Sequence, residues 1–173
     1  MISRPDQTPG AKPRRGATKI DGYRPDPDAR PMSSLPTGGA WDVLPAYEWL
    51  PLVDGTAVAY VTPRLKRNLT VAGPGSVDLW LRSSATDTDL QVTLSEVRPD
   101  GLETYVQSGW LRASHRKLDT ARSTAMHPVQ THLQADAAPL PAGQFSLARV
   151  ELYSVAHVFR KGSRLRVSVE APG

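Results

Sequence analysis

The chain has 173 residues, a formal charge of +4, 16 prolines, 13 glycines and no cysteine. A chain of this length suits one domain plus a tail, and such a domain buries about two-thirds of the surface its unfolded chain exposes, so it needs no covalent staples. The absence of cysteine excludes disulfides, thiol catalysis and thiolate metal sites, and makes the cytoplasm the default expectation. No apolar run approaches the ~18 residues of a membrane span, and the first 30 residues hold no apolar signal-peptide core.

The positive charge is local. Arg4, Lys12, Arg14, Arg15, Lys19, Arg24 and Arg30 stand against Asp6, Asp21, Asp26 and Asp28, and the rest of the chain is close to neutral. This basic arm has one aromatic residue, Tyr23, and no compact cationic block, so a solvated linker is expected and a nucleic-acid partner is not. Through position 36 the chain carries prolines at 5, 9, 13, 25, 27, 31 and 36 with no helical or strand period, which predicts a disordered Pro-rich tail over 1–36 and a folded domain over 37–173.

From Trp41 onward short apolar alternations are separated by Gly, Pro and Asp, the pattern of an all-β domain. Leu69 and Val71 lead into Gly73-Pro74-Gly75, read as a turn, and Val77, Leu79 and Leu81 then alternate with Asp78, Trp80 and Arg82. Leu90, Val92 and Leu94 alternate with Gln91, Thr93 and Ser95, giving a strand with one buried face. Arg98-Pro99-Asp100-Gly101 has Pro and Gly where a tight turn wants a fixed and a positive φ, so Thr104 to Leu111 is the returning strand of a hairpin. Leu118 to Pro141 reads as a loop with room for a helical turn. Val150 and Leu152 share one strand face, and Leu165, Val167 and Val169 another, with Arg164, Arg166 and Ser168 outside. No repeat of 20 to 50 residues is visible, and this strand spacing suits a jelly-roll β-sandwich of the galactose-binding-like kind.

Catalytic constellations are missing. No serine has glycine two positions before it, so the strained elbow that exposes a hydrolase nucleophile is absent and no catalytic residue is assigned. His115, His127, His132 and His157 lack the spacing and supporting carboxylates of a metal site, so neither metal nor cofactor is expected. Asp87 and Asp89 could face one cation, but in Ser84-Ala-Thr-Asp-Thr-Asp89 short polar side chains more readily bond the local backbone. Arg112 and Arg116 suit either a substrate carboxylate or a structural pairing with Asp87, Asp89 or Asp100. Asn68-Leu-Thr70 is a chance glycosylation sequon. Trp41, Trp49, Trp80 and Trp110 read as core or interface anchors, with sugar stacking as the other use.

Several separated motifs carry a resemblance: Gly73-Pro74-Gly75, the Asp87-Thr-Asp89 strand, Pro99-Asp-Gly101, Gly109-Trp-Leu-Arg112 and Phe159-Arg-Lys-Gly162, with Tyr23-Arg-Pro-Asp-Pro27 before them. In this order the chain resembles the C-terminal non-catalytic domain of the X-Pro dipeptidyl-peptidase and cocaine-esterase-like (CocE/NonD) serine hydrolases. The resemblance implies a sandwich that packs on a preceding α/β-hydrolase domain and helps shape its pocket or oligomer. The Ser-His-Asp triad of that domain maps onto none of these residues, and the resemblance gives His157, in Ala156-His-Val-Phe159, a structural role ahead of a strand. It further implies a chain truncated at its C-terminal end, stopping at Glu170-Ala-Pro-Gly173 where the family continues, and therefore a partner that is either the hydrolase domain or a second copy. Fold analogy offers a stand-alone carbohydrate-binding module as the alternative.

Overall fold

A computed structural model describes residues 21–25 and 54–171; the expectations for Trp41, Trp49 and the remainder of the 1–36 tail lie outside the described residues. Among the described residues six strands form two antiparallel sheets: β1 (Ala57–Val61), β2 (Leu69–Leu81), β3 (Asp89–Val97), β4 (Glu103–Arg112), β5 (Ser146–Phe159) and β6 (Arg164–Glu170). One sheet has the order β1-β6-β3-β4 and the other pairs β2 with β5. Among the described strands only the β3–β4 hairpin stays within one sheet. Every other connection crosses between sheets, the winding of a jelly-roll sandwich.

The alternation read from β3 is the reason the sheets meet. Leu90 and Val92 are buried and pack with Leu79, Leu111, Ala148, Val150, Leu152 and Val169 into one inter-sheet core. The hairpin turn forms as its residues dictate, with Gly101 at φ 86° and its N–H donating to the Arg98 carbonyl at 3.0 Å. The 118–141 segment is a loop carrying one bridge, Leu118 to Gln130, and a 3-10 turn at Gln134–Asp136.

Three expectations are corrected. Gly73-Pro74-Gly75 is no turn: it lies inside β2, where Pro74 cannot donate to the ladder and the register slips between Gly73 and Gly75. Gly73 pairs with Val155 and Gly75 with Leu152, so Tyr153 and Ser154 bulge opposite the single Pro74. That extra residue inverts the phase of β5. Ala148, Val150 and Leu152 point into the core before it, and His157 and the fully buried Phe159 after it.

The second correction concerns the outer face of the four-stranded sheet. Ser168 was expected outside but is 2% exposed, and Thr93, Ser95 and Ser108 are equally enclosed. Three of these hydroxyls are satisfied sideways: Thr93 bonds Ser108 at 3.1 Å, and Ser95 donates to Glu103, which also accepts from Arg166 at 2.8 Å. A polar sheet face can therefore be as closed as an apolar one when its hydroxyls find partners within the sheet. Thirdly, His157 was placed ahead of a strand and instead lies within β5.

Part of the expected tail is held on the domain. Tyr23 packs against the core, Arg24 N–H donates to the Gly55 carbonyl at 2.9 Å, and Tyr60 Oη donates to Asp21 at 3.2 Å. Burial, then the charge of Glu170, pushes the Tyr23 phenol up to about 12; burial, then Asp21, does the same for Tyr60.

Candidate functional site

The histidines do not converge. His115 and His132 lie near each other at 6.4 Å between ring centroids, His132 at a φ of 52°. His127 Nδ1 lies 2.7 Å from the Glu151 carboxylate, out of line for a hydrogen bond. Among the described residues no three His, Asp or Glu side chains stand close enough to hold a metal ion.

His157 is the exception in its setting. From β5 it crosses the sandwich and donates from Nε2 to Glu96 Oε2 of β3 at 2.8 Å, its ring stacked edge-on against Phe159 at 4.7 Å. Glu96 continues the core-facing phase of Leu90, Val92 and Leu94, which carries a carboxylate to the end of the apolar layer, 5% exposed. Its Oε1 accepts the Arg160 N–H at 3.0 Å. Burial alone would raise its pKa. The neighbouring Ser163 hydroxyl, which makes no hydrogen bond of ordinary geometry, the Arg160 N–H and His157 together outweigh that and hold the carboxyl below the usual range. A groove of about 770 Å³, flanked by Asn68, Thr70, Arg160 and Lys161, opens onto the pair. Chemically this is a histidine held by a buried carboxylate, and the contact joins β5 to β3 across the sandwich.

The acidic and basic candidates resolve as local structure. Asp87 Oδ1 accepts the N–H of Thr88 at 2.9 Å and of Ser114 at 2.8 Å, and Asp89 holds Arg112 through two bonds of 2.7 Å each. Arg116 departs from the expected carboxylate pairing. Its guanidinium binds the carbonyls of Ala113, Ala138 and Pro139 and so ties the 3-10 turn after β4 to the following loop. Asn68 Oδ1 accepts the Lys161 N–H at 2.8 Å, a structural use of the sequon residue.

Two features escaped the sequence reading. Arg149, from the outer face of β5, pairs with Asp78 of β2 at 2.8 Å and reaches the Ala125 carbonyl at 2.7 Å, pinning the long loop to the two-stranded sheet. Sequence gave no pairing for these two residues, 71 apart. The other is the Gly109 motif. A Cβ there would stand 1.6 Å from the Glu151 carbonyl oxygen, so glycine lets β4 press directly on β5. That approach sets Trp110 beside Tyr153 at 5.9 Å, both rings about half exposed, with the indole N–H held by Gln91 Oε1 at 2.9 Å.

With this geometry established, comparison with known proteins is decisive. The family model for the X-Pro dipeptidyl-peptidase C-terminal non-catalytic domain matches residues 19–172. The chain belongs to this family. Proteins named as candidate serine esterases in Mycobacterium bovis and Mycobacterium tuberculosis are each 30% identical over 118 residues, covering 67% of this chain and 19% of theirs. A CocE/NonD family hydrolase from Staphylococcus aureus shares the fold at a TM-score of 0.62 and 24% identity, over 66% of this chain and 22% of that one. An α-amino acid ester hydrolase is similar at a TM-score of 0.55 and 23% identity, over 69% and 18%. The chain thus spans about a fifth of the length of these relatives. The matched family is a non-catalytic C-terminal domain, and in this chain the described residues form it as a β-sandwich. No helix among the described residues is long and apolar enough to cross a membrane.

Proposed function

We propose that this sandwich is a docking domain: it packs on an α/β-hydrolase catalytic domain that cleaves esters or Xaa-Pro peptides, and helps form that domain's pocket or assembly. The observation that carries the reading is the match of residues 19–172 to a domain defined as non-catalytic, in relatives about five times longer than the matched segment. Two properties of this chain support it. The sequence offers no elbow serine, and the one oriented histidine is spent on holding the sheets together. A cysteine-free chain suits a reducing compartment, and we place the assembly in the cytoplasm. The test is hydrolysis by the isolated chain of nitrophenyl esters and Xaa-Pro anilides. Turnover at the buffer rate is expected, and a rate well above it that a serine-directed inhibitor abolishes would refute the reading.

A further inference from the structure

We infer that the ridge formed by Trp110 and Tyr153 is the anchor by which this domain seats on its hydrolase body. The inference rests on the docking function proposed above and names the surface that performs it. Trp110 is 48% and Tyr153 51% exposed, and they stand together although they come from different sheets. Their meeting is built from three separate devices. Gly109 allows β4 to touch the β5 backbone, the bulge opposite Pro74 turns Tyr153 outward, and Gln91 fixes the indole by its N–H. Beside the pair, Arg112 holds Asp89 in a two-bond fork while leaving its side chain 59% exposed.

Trp, Tyr and Arg are the residues in which binding hot spots are richest, because a large rigid ring or planar fork gives much contact at little entropic cost. Here they are pre-organised, which lowers the cost of association further. The occupant follows from length. The relatives carry about four-fifths of their chain outside the matched segment, and that remainder is the partner such a domain has to meet. Of the other exposed apolar side chains, Met126 and Leu133, both on the 118–141 loop, serve as controls.

The experiment is a chimera in which this chain replaces the 118 matched residues of the Mycobacterium tuberculosis relative, followed by nitrophenyl-ester turnover and thermal melting. The chimera should be active and melt in one transition. Trp110→Ala with Tyr153→Ala should lower turnover about tenfold or more near the melt, where docking limits activity, and split off a separate sandwich transition. In the isolated chain the same double variant should shift melting by only a few degrees, since both rings are half exposed. Met126→Ala and Leu133→Ala should be silent in both. A docked chimera indifferent to Trp110 and Tyr153 would overturn the anchor and leave the docking function intact. A parent chimera that melts in two independent transitions would remove the docking function and the anchor with it. A saccharide that raises the melting point of the isolated chain, or a tight dimer of it, with either effect abolished by Trp110→Ala, would give the ridge to another occupant and overturn the inference.

Discussion

Removing the Glu96 carboxylate should cost more than any surface substitution. Its two oxygens accept from His157 Nε2 at 2.8 Å and from the Arg160 N–H at 3.0 Å, and its side chain is 7% exposed. Glu96→Ala strands both donors at the end of the core, and breaking a buried pair from one side costs about 3–5 kcal/mol. Glu96→Gln keeps one acceptor and turns an amide donor toward the other partner, so about half that loss is expected. With a urea slope of about 2 kcal/mol/M for a domain of this size, the midpoints should fall by about 1.5–2.5 M for alanine and about 1 M for glutamine. Acid supplies a second axis. The folded-state pKa of Glu96 is depressed, so its contribution is fully present above the unfolded carboxylate value near ~4.3 and is lost as pH falls through the folded value. The gap between wild type and Glu96→Gln should therefore be full at pH 7 and shrink progressively as pH falls below that unfolded value. Urea melts of both proteins across that range decide the matter. A glutamine variant as stable as wild type at pH 7, or a gap that widens on acidification, would refute the clasp.

Gly109→Ala should prevent folding, since its Cβ would lie 1.6 Å from a backbone oxygen that no rotamer can move; far-UV circular dichroism and solubility check this. Asp78→Ala should release the 118–141 loop by stranding Arg149, costing about 2–4 kcal/mol and opening new tryptic cleavage at Arg122, read by limited proteolysis. Tyr23 and Tyr60, with phenols raised to about 12, contribute stability that is complete below the unfolded value near ~10 and is lost between about pH 10 and 12. Alkaline melts should show that loss, and Tyr60→Phe, which removes the Asp21 bond and one titrating group, should shrink it while lowering stability at pH 7 by about 1 kcal/mol.

How far the sequence could be read depended on whether the controlling interaction was local. The period of two in Leu90 to Leu94 and the Pro99-Asp-Gly turn are decided within a few residues, and both appear in the structure as strand and hairpin. Gly73-Pro74-Gly75 misled because turn chemistry and bulge chemistry use the same residues. Only the partner strand, about 80 positions later, determines whether the chain reverses or the neighbour bulges. The same slip carries His157 to the inside of β5, so a misread Pro-Gly step also hid the one oriented histidine. Glu96 was legible in principle, since it keeps the phase of Leu90 and Leu94 and a charge in that register demands a partner. The partner's identity was not legible, because it comes from the other sheet 61 residues away. Gly109 follows the same logic: the motif could be recognised by eye, but its reason is a carbonyl on β5 that no spacing encodes. In a sandwich whose connections cross between sheets, the residues that join the sheets are distant in sequence by construction, and the surface that those junctions assemble at Trp110 and Tyr153 becomes visible only when both sheets are in place.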